Sequence, residues 1–150
     1  MKVKLSPGGI LPQSAHEDDG GFDLFTPVDV KVPGSTALSW VANLAPVDIG
    51  CATIDTLVHV AIPKGHVGYI KSKSGLMVNH GLTADGTIDC GYTGSIRVKL
   101  FNHTSKDYVF KAGEKIAQLV IQPIIKPNLE LVSELDDTER GAGGFGSTGR

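Results

Sequence analysis

Apolar and polar side chains alternate over short runs through most of the chain: Val3 to Leu5, Phe22 to Phe25, Val28 to Val32, Leu57 to Ile62, His66 to Ile70, Ser95 to Phe101, Tyr108 to Phe110 and Ile116 to Ile121. A period of two puts successive side chains on opposite faces of an extended strand, and Gly, Pro, Asn or Asp bounds nearly every run, so turns follow strands. Many short strands at this spacing predict an all-β barrel or sandwich. Almost every window of about eleven residues contains a Gly, a Pro or a dense β-branched set, which disfavours helix. The best helical stretch, near Ser74 to Asn79, predicts at most one short helix. Between Pro33 and Pro63 the pattern breaks: Gly-Ser-Thr, the only Trp (Trp40), Pro46 and Gly50 read as a strand interrupted by a long loop.

The texture changes again after Leu135. Asp136-Asp-Thr-Glu-Arg140 leads into a terminus whose last eleven residues hold five glycines and one large apolar side chain, Phe145. Such a segment has too little apolar surface to build a core. The expected organisation is one domain over residues 1–139, followed by a flexible Gly-rich tail over 140–150 that orders on a ligand.

Composition narrows the function classes. At 150 residues the chain suits one core, burying roughly 70% of the surface its unfolded form exposes. A net charge of −2 lacks the basic excess of a nucleic-acid surface, so no nucleic-acid partner is expected. No apolar run approaches the roughly 18 residues of a membrane span, and the first residues do not resemble a signal peptide. The expectation is therefore a cytoplasmic protein without a membrane partner. Cys51 and Cys90 read as two free thiols of a reducing compartment, and His16, His59, His66, His80 and His103 do not cluster at metal-ligand spacing.

Several polar segments interrupt this β pattern in ways that suit a phosphorylated ligand. In the tail, Arg140 can grip phosphate oxygens at two points, Ser147 and Thr148 supply hydroxyls, the glycines let backbone N–H groups turn inward, and Phe145 can stack on a base. No Gly-Lys-Ser/Thr follows those glycines, which excludes a Walker loop. Gly86-Thr-Ile-Asp-Cys-Gly-Tyr-Thr-Gly94 sets Asp89 between a strand end and a turn, where it can orient or deprotonate a water or bind a sugar hydroxyl, with Tyr92 as a ring against a small ligand. In Ile70-Lys-Ser-Lys-Ser-Gly75, cations and hydroxyls precede a glycine. Asp23 and Gln118 sit beside apolar residues, so each needs a partner once buried.

In this order the segments closely resemble the five motifs of the trimeric dUTPases: Gly20 to Leu24, Lys73 to Leu76, Gly86 to Tyr92, Gly113 to Val120 and Arg140 to Gly149. The resemblance covers essentially the whole chain. It implies a jelly-roll-like β-barrel, a homotrimer with active sites shared at subunit interfaces, and Mg²⁺-dependent hydrolysis of dUTP to dUMP and pyrophosphate by water attack at the α-phosphate. That activity limits uracil incorporation into DNA and supplies dUMP for thymidylate synthesis. Carried over residue by residue, Asp89 engages the 3′-hydroxyl and helps activate the water, while Tyr92 packs on the sugar and disfavours a 2′-hydroxyl. Backbone groups at Thr83, Gly86, Thr87 and Ile88 read the uracil edge. Lys73, Ser74, Gly75, Arg97 and Gln118 belong to the substrate-binding set, with Ser74, Gly75 and Gln118 on the phosphates. The tail closes over a neighbouring subunit's site, stacking Phe145 on uracil and bringing Arg140, Gly146, Ser147 and Thr148 to the substrate. Mg²⁺ rides on the triphosphate without a direct protein ligand, and Asp23 holds water bound to it. Lys73 departs from the family's usual Arg, keeping the charge but losing its planar two-point grip.

Two rival readings remain. The dCTP deaminases share the fold and much of the third motif, but place a Glu for proton transfer where Val98-Lys-Leu100 stands and a Phe where Tyr92 stands. The other rival is a dUTPase-like trimer acting as a protein-binding or regulatory module through residues 34–55, a stretch longer than the family pattern leads one to expect. Intact Asp89, Tyr92 and Arg140 favour catalysis.

Overall fold

The computed structural model describes residues 1–35 and 49–143. Trp40 and the tail residues Phe145, Gly146, Ser147 and Thr148 lie outside the described residues. Among the described residues, nine strands and one helix follow in chain order: β1 (Lys2–Leu5), β2 (Phe22–Phe25), β3 (Val30–Val32), β4 (Gly50–Ala61), β5 (His66–Lys71), α1 (Ser74–His80), β6 (Leu82–Ile88), β7 (Ser95–Asn102), β8 (Tyr108–Phe110) and β9 (Lys115–Pro123). Seven of the strands form one sheet in the order β1-β4-β7-β6-β5-β9-β2, and β3 pairs with β8 in a separate ribbon. Every pairing is antiparallel.

Leu24 from one edge strand and Ile54 and Val58 from β4 near the other edge belong to a single buried cluster. A flat sheet would hold them apart, so the sheet curls into a half-barrel. Val32 and Phe110 of the ribbon join the same cluster from outside the sheet. The alternation is visible in β7, where Ile96, Val98 and Leu100 are buried while Arg97 and Lys99 are exposed. Each such aliphatic side chain stabilises the fold by roughly 1.5–3 kcal/mol before chain entropy is subtracted. The all-β expectation with one short helix therefore holds.

Two stretches differ from the expected pattern. Leu82 to Ile88 is a strand, although its inward positions are Leu82, Ala84, Gly86 and Ile88 and it contains an Asp-Gly pair that resembles a turn. Its pairing with β5 and β7 outweighs that weak local preference. In the long early segment, β4 already starts at Gly50, so residues 50–55 are strand rather than loop. Among the described residues no helix is long and apolar enough to cross a membrane.

Candidate functional site

The first polar centre is built around Asp23. Its strand β2 lies against β9 with Asp23 directly opposite Gln118. The Asp23 side chain is only 3% exposed, and its oxygens receive Lys73 Nζ at 2.5 Å and Lys115 Nζ at 2.7 Å. Gln118 Nε2 donates to the same carboxylate at 3.4 Å. Burial pushes the carboxyl up, but the hydrogen bonds and charges of Lys115 and Lys73 outweigh it and hold Asp23 below the usual carboxylate range. Asp23 is thus ionised at neutral pH and central to a compact cationic cluster.

Lys73 belongs to that cluster because of its position: it is the extended residue just before α1, with φ −77° and ψ 129°. Ser74 and Gly75 follow it, both exposed. Ser72 locks the approach by accepting the Ala84 N–H and donating to the Ala84 carbonyl, each at 2.9 Å. A cleft of about 540 Å³ opens here, lined by Ser74, Lys71, Thr83 and Asp85 among others. Its occupant would meet the hydroxyls of Ser72, Ser74 and Thr83 and one cation, Lys71, which is paired with Asp85.

The second polar centre is the turn between β6 and β7. Asp89 is exposed at the end of β6, beside a cleft of about 550 Å³ that His66, Cys90 and Lys126 also line. The turn closes with Tyr92 N–H donating to the Asp89 carbonyl at 3.1 Å, and Gly91 takes φ 100°, open to glycine and rarely to other residues. Tyr92 is 44% exposed. Its ring lies against Gly94, where a Cβ would collide with it, and its hydroxyl donates to the Ser95 carbonyl at 2.9 Å. Asp89 and Tyr92 are thus both exposed on one short turn.

The two centres stand at opposite ends of the same strands. Lys71 of β5 pairs with Gln118 and Asp85, whereas Gly68 pairs with Ile88, the residue before Asp89. At about 3.3 Å per residue the offset from the Gln118 level to Asp89 is roughly 13 Å along the strands. Of the expected set, Lys73, Ser74, Gly75, Gln118 and Asp23 gather at one end, and Gly86, Thr87, Ile88, Asp89 and Tyr92 run to the other. Thr83 lines the Ser74 cleft, and its hydroxyl is 2.7 Å from His103 Nε2. It stands five residues from Ile88 in β6, roughly 16 Å, more than one pyrimidine spans. Arg97 is exposed on β7 with Nε 3.8 Å from Asp55. Arg140 stands in an exposed turn, its Nε donating to the Gly143 carbonyl at 2.9 Å.

Lys115, Asp55, Ser95 and His59 are polar residues around these centres that the sequence did not single out. Lys115 lies in the same segment as Gln118, but only the β2–β9 register reveals that both reach Asp23. Among the described residues no three His, Cys, Asp or Glu side chains come together as a metal cage.

A curled antiparallel sheet thus carries a buried carboxylate held by two lysines toward one end of its strands and an exposed Asp–Tyr turn toward the other. The sequence model of the dUTPase family matches residues 8–149, and the chain belongs to that family. It is 40% identical to the deoxyuridine 5′-triphosphate nucleotidohydrolase of Clostridium tetani, covering 100% of this chain and 97% of the relative. It is 42% identical to the enzyme of the same name from Cutibacterium acnes, covering 93% and 85%. The dUTPase of Staphylococcus bacteriophage 80alpha, solved with dUPNHPP, superposes with a TM-score of 0.83 at 31% identity, covering 99% of this chain and 98% of that one. A mutant dUTPase from phage phi11 of S. aureus, described as coordinating a structural Mg(II) ion, superposes with a TM-score of 0.74 at 27% identity, covering 91% and 98%.

Proposed function

We propose that this chain hydrolyses dUTP to dUMP and pyrophosphate in the cytoplasm, by attack of water at the α-phosphate, and so limits uracil in DNA while supplying dUMP for thymidylate synthesis. The family match over residues 8–149 carries this reading. Asp89 takes the 3′-hydroxyl and orients the attacking water, and Tyr92 covers the sugar face. Ser74, Gly75 and Gln118 hold phosphate oxygens, and the tail over 140–150 closes on the substrate with Arg140, Phe145, Gly146, Ser147 and Thr148. Phosphoryl transfer needs charge stabilisation and alignment more than covalent chemistry, so this division of labour suits it. Lys99 is exposed with its ammonium 5.1 Å from the Phe101 ring centroid, and a lysine there supplies no carboxylate for deamination.

The residues suit Mg²⁺ as an ion carried by the triphosphate: of the two carboxylates at the phosphate end, Asp23 is held by Lys73 and Lys115 and Asp85 by Lys71. When bound, the ion would neutralise phosphate charge. Lys73 has a flexible stem and could turn from Asp23 to a phosphate oxygen, and Asp23 would then help hold the ion through water.

The family match over residues 8–149 supports a homotrimer with shared sites, one subunit supplying the phosphate end and its neighbour the Asp89 turn. Pyrophosphate release from dUTP, dCTP, dTTP and UTP, with Mg²⁺ and then with chelator, tests the reaction. Release from dUTP alone and only with Mg²⁺ is expected; silence on all four would leave a binding module, and deamination of dCTP would overturn the argument from Lys99. Shared sites are tested by refolding Asp89→Asn and Ser74→Ala chains together. Random assortment should regenerate about a quarter of the wild-type sites, whereas sites confined to one chain would regenerate none.

A further inference from the structure

The pairing of β4 with β7 is irregular close to the Asp89 turn. Asp55 faces Arg97 and His59 faces Ser95, so four residue steps on β4 answer two on β7. Leu57, in the middle of this bulge, has φ 60°, the left-handed region that side chains such as Leu rarely adopt. The bulge is held from several sides. Asp55 Oδ1 accepts the Leu57 N–H at 2.9 Å, Ser6 N–H donates to the Leu57 carbonyl at 2.9 Å, and the buried Thr56 hydroxyl donates to the Ile96 carbonyl at 2.8 Å.

Two side chains of the bulge reach the turn. The Ser95 hydroxyl donates to Asp55 Oδ1. His59 Nδ1 lies 2.9 Å from the Thr93 carbonyl, and since a carbonyl only accepts, Nδ1 carries the hydrogen. Its Nε2 faces Ser6 Oγ at 3.0 Å, which ties the ring to the segment after β1. Thr93 and Ser95 are therefore anchored on either side of Gly94, the residue on which the Tyr92 ring lies. Because the Tyr92 hydroxyl donates to the Ser95 carbonyl, the path from Asp55 to Tyr92 passes through one residue. Neither Asp55 nor His59 contacts Asp89 through a hydrogen bond or ion pair.

We propose that the β4 bulge positions the sugar-binding turn, with Asp55 and His59 as positioning residues that set the Tyr92 ring and hence the rejection of a 2′-hydroxyl. This rests on the reading of Asp89 and Tyr92 as the sugar site. A bulge is a means of re-aiming side chains beside a site. The hydrogen bond from Ser95, and then that from the Leu57 N–H, hold the Asp55 carboxyl below the usual carboxylate range, so it stays an acceptor through neutral pH. Arg97 is the cation that faces it.

The test compares kcat/KM for dUTP and UTP in the full chain and in Asp55→Ala, Asp55→Asn, Ser95→Ala and His59→Ala. Asp107→Ala serves as a control: it removes bonds to Lys31 and the Gly34 N–H beside the β3–β8 ribbon, away from the turn. Loss of one anchoring hydrogen bond should lower the dUTP-over-UTP preference about tenfold in Asp55→Ala and Ser95→Ala, and less in His59→Ala. Asp55→Asn keeps an acceptor oxygen and should recover most of the preference, and Asp107→Ala should leave it unchanged. An unchanged preference in Ser95→Ala, together with an unchanged preference in any folded Asp55→Ala protein, overturns the positioning role. A wild-type chain inert toward dUTP overturns the functional reading itself, a distinct result seen before any variant is made.

Discussion

Asp23 and Asp89 are two carboxylates on one sheet, held in opposite ways. Asp23 is buried, engaged by two lysines and a glutamine, and kept ionised by them. Asp89 is exposed, and among the described residues its side chain has no hydrogen bond or ion pair. At Asp23 the fold satisfies the charge internally, because an unpaired buried carboxylate costs several kcal/mol. At Asp89 the fold leaves the charge to solvent and holds the backbone beneath it instead, through Gly91, Tyr92, Thr93 and Ser95. Stability thus rests on Asp23 more than on Asp89, while in the proposed function both serve the reaction, Asp89 directly and Asp23 through water on the ion.

The widest separation should come from Asp89→Asn. We expect kcat for dUTP to fall about 10³-fold, with the unfolding free energy from urea titration unchanged within about 0.5 kcal/mol; a large loss of stability would break the contrast. Asp23→Ala should act the other way first, lowering unfolding free energy by about 3 kcal/mol as the partly buried Lys73 and the half-exposed Lys115 lose their partner. Urea titration measures this. An unfolding curve matching wild type would mean that the cluster contributes nothing net.

Acid sharpens the same comparison. Because the folded-state pKa of Asp23 is depressed, its stabilisation is fully present above the unfolded value of about 3.9 and is lost as pH falls through the folded one. The stability gap between wild type and Asp23→Ala should therefore be constant at neutral pH and narrow below about pH 4. A gap that persisted unchanged into strong acid would assign the effect to packing. The smallest effect is expected at the exposed Lys71–Asp85 pair, where Lys71→Ala should change stability by less than about 1 kcal/mol by the same titration.

Much of this was readable along the chain. Phe22 to Phe25 and Tyr108 to Phe110 coincide with strands β2 and β8, and the helix begins at Ser74 as expected. The stretch Leu82 to Ile88 was not readable, because Ala84 and Gly86 at inward positions weaken the alternation and Asp85-Gly86 imitates a turn. Asp89 and Tyr92 stood out because a carboxylate and an aromatic ring share one short turn. Lys115, Asp55 and His59 did not, because their partners Asp23, Ser95 and Thr93 lie 92, 40 and 34 residues away in sequence.

By itself the sequence determined the strand-rich class, the place of the short helix and the order of the polar segments, since period and turn chemistry act within a few residues. The tertiary structure decided which strands meet, and with it the burial of Asp23 between two lysines, the bulge under the Asp89 turn and the distance between the two polar centres. Those depend on register across the sheet, where one step moves a side chain to the other face, and no local pattern specifies which distant residue will stand opposite.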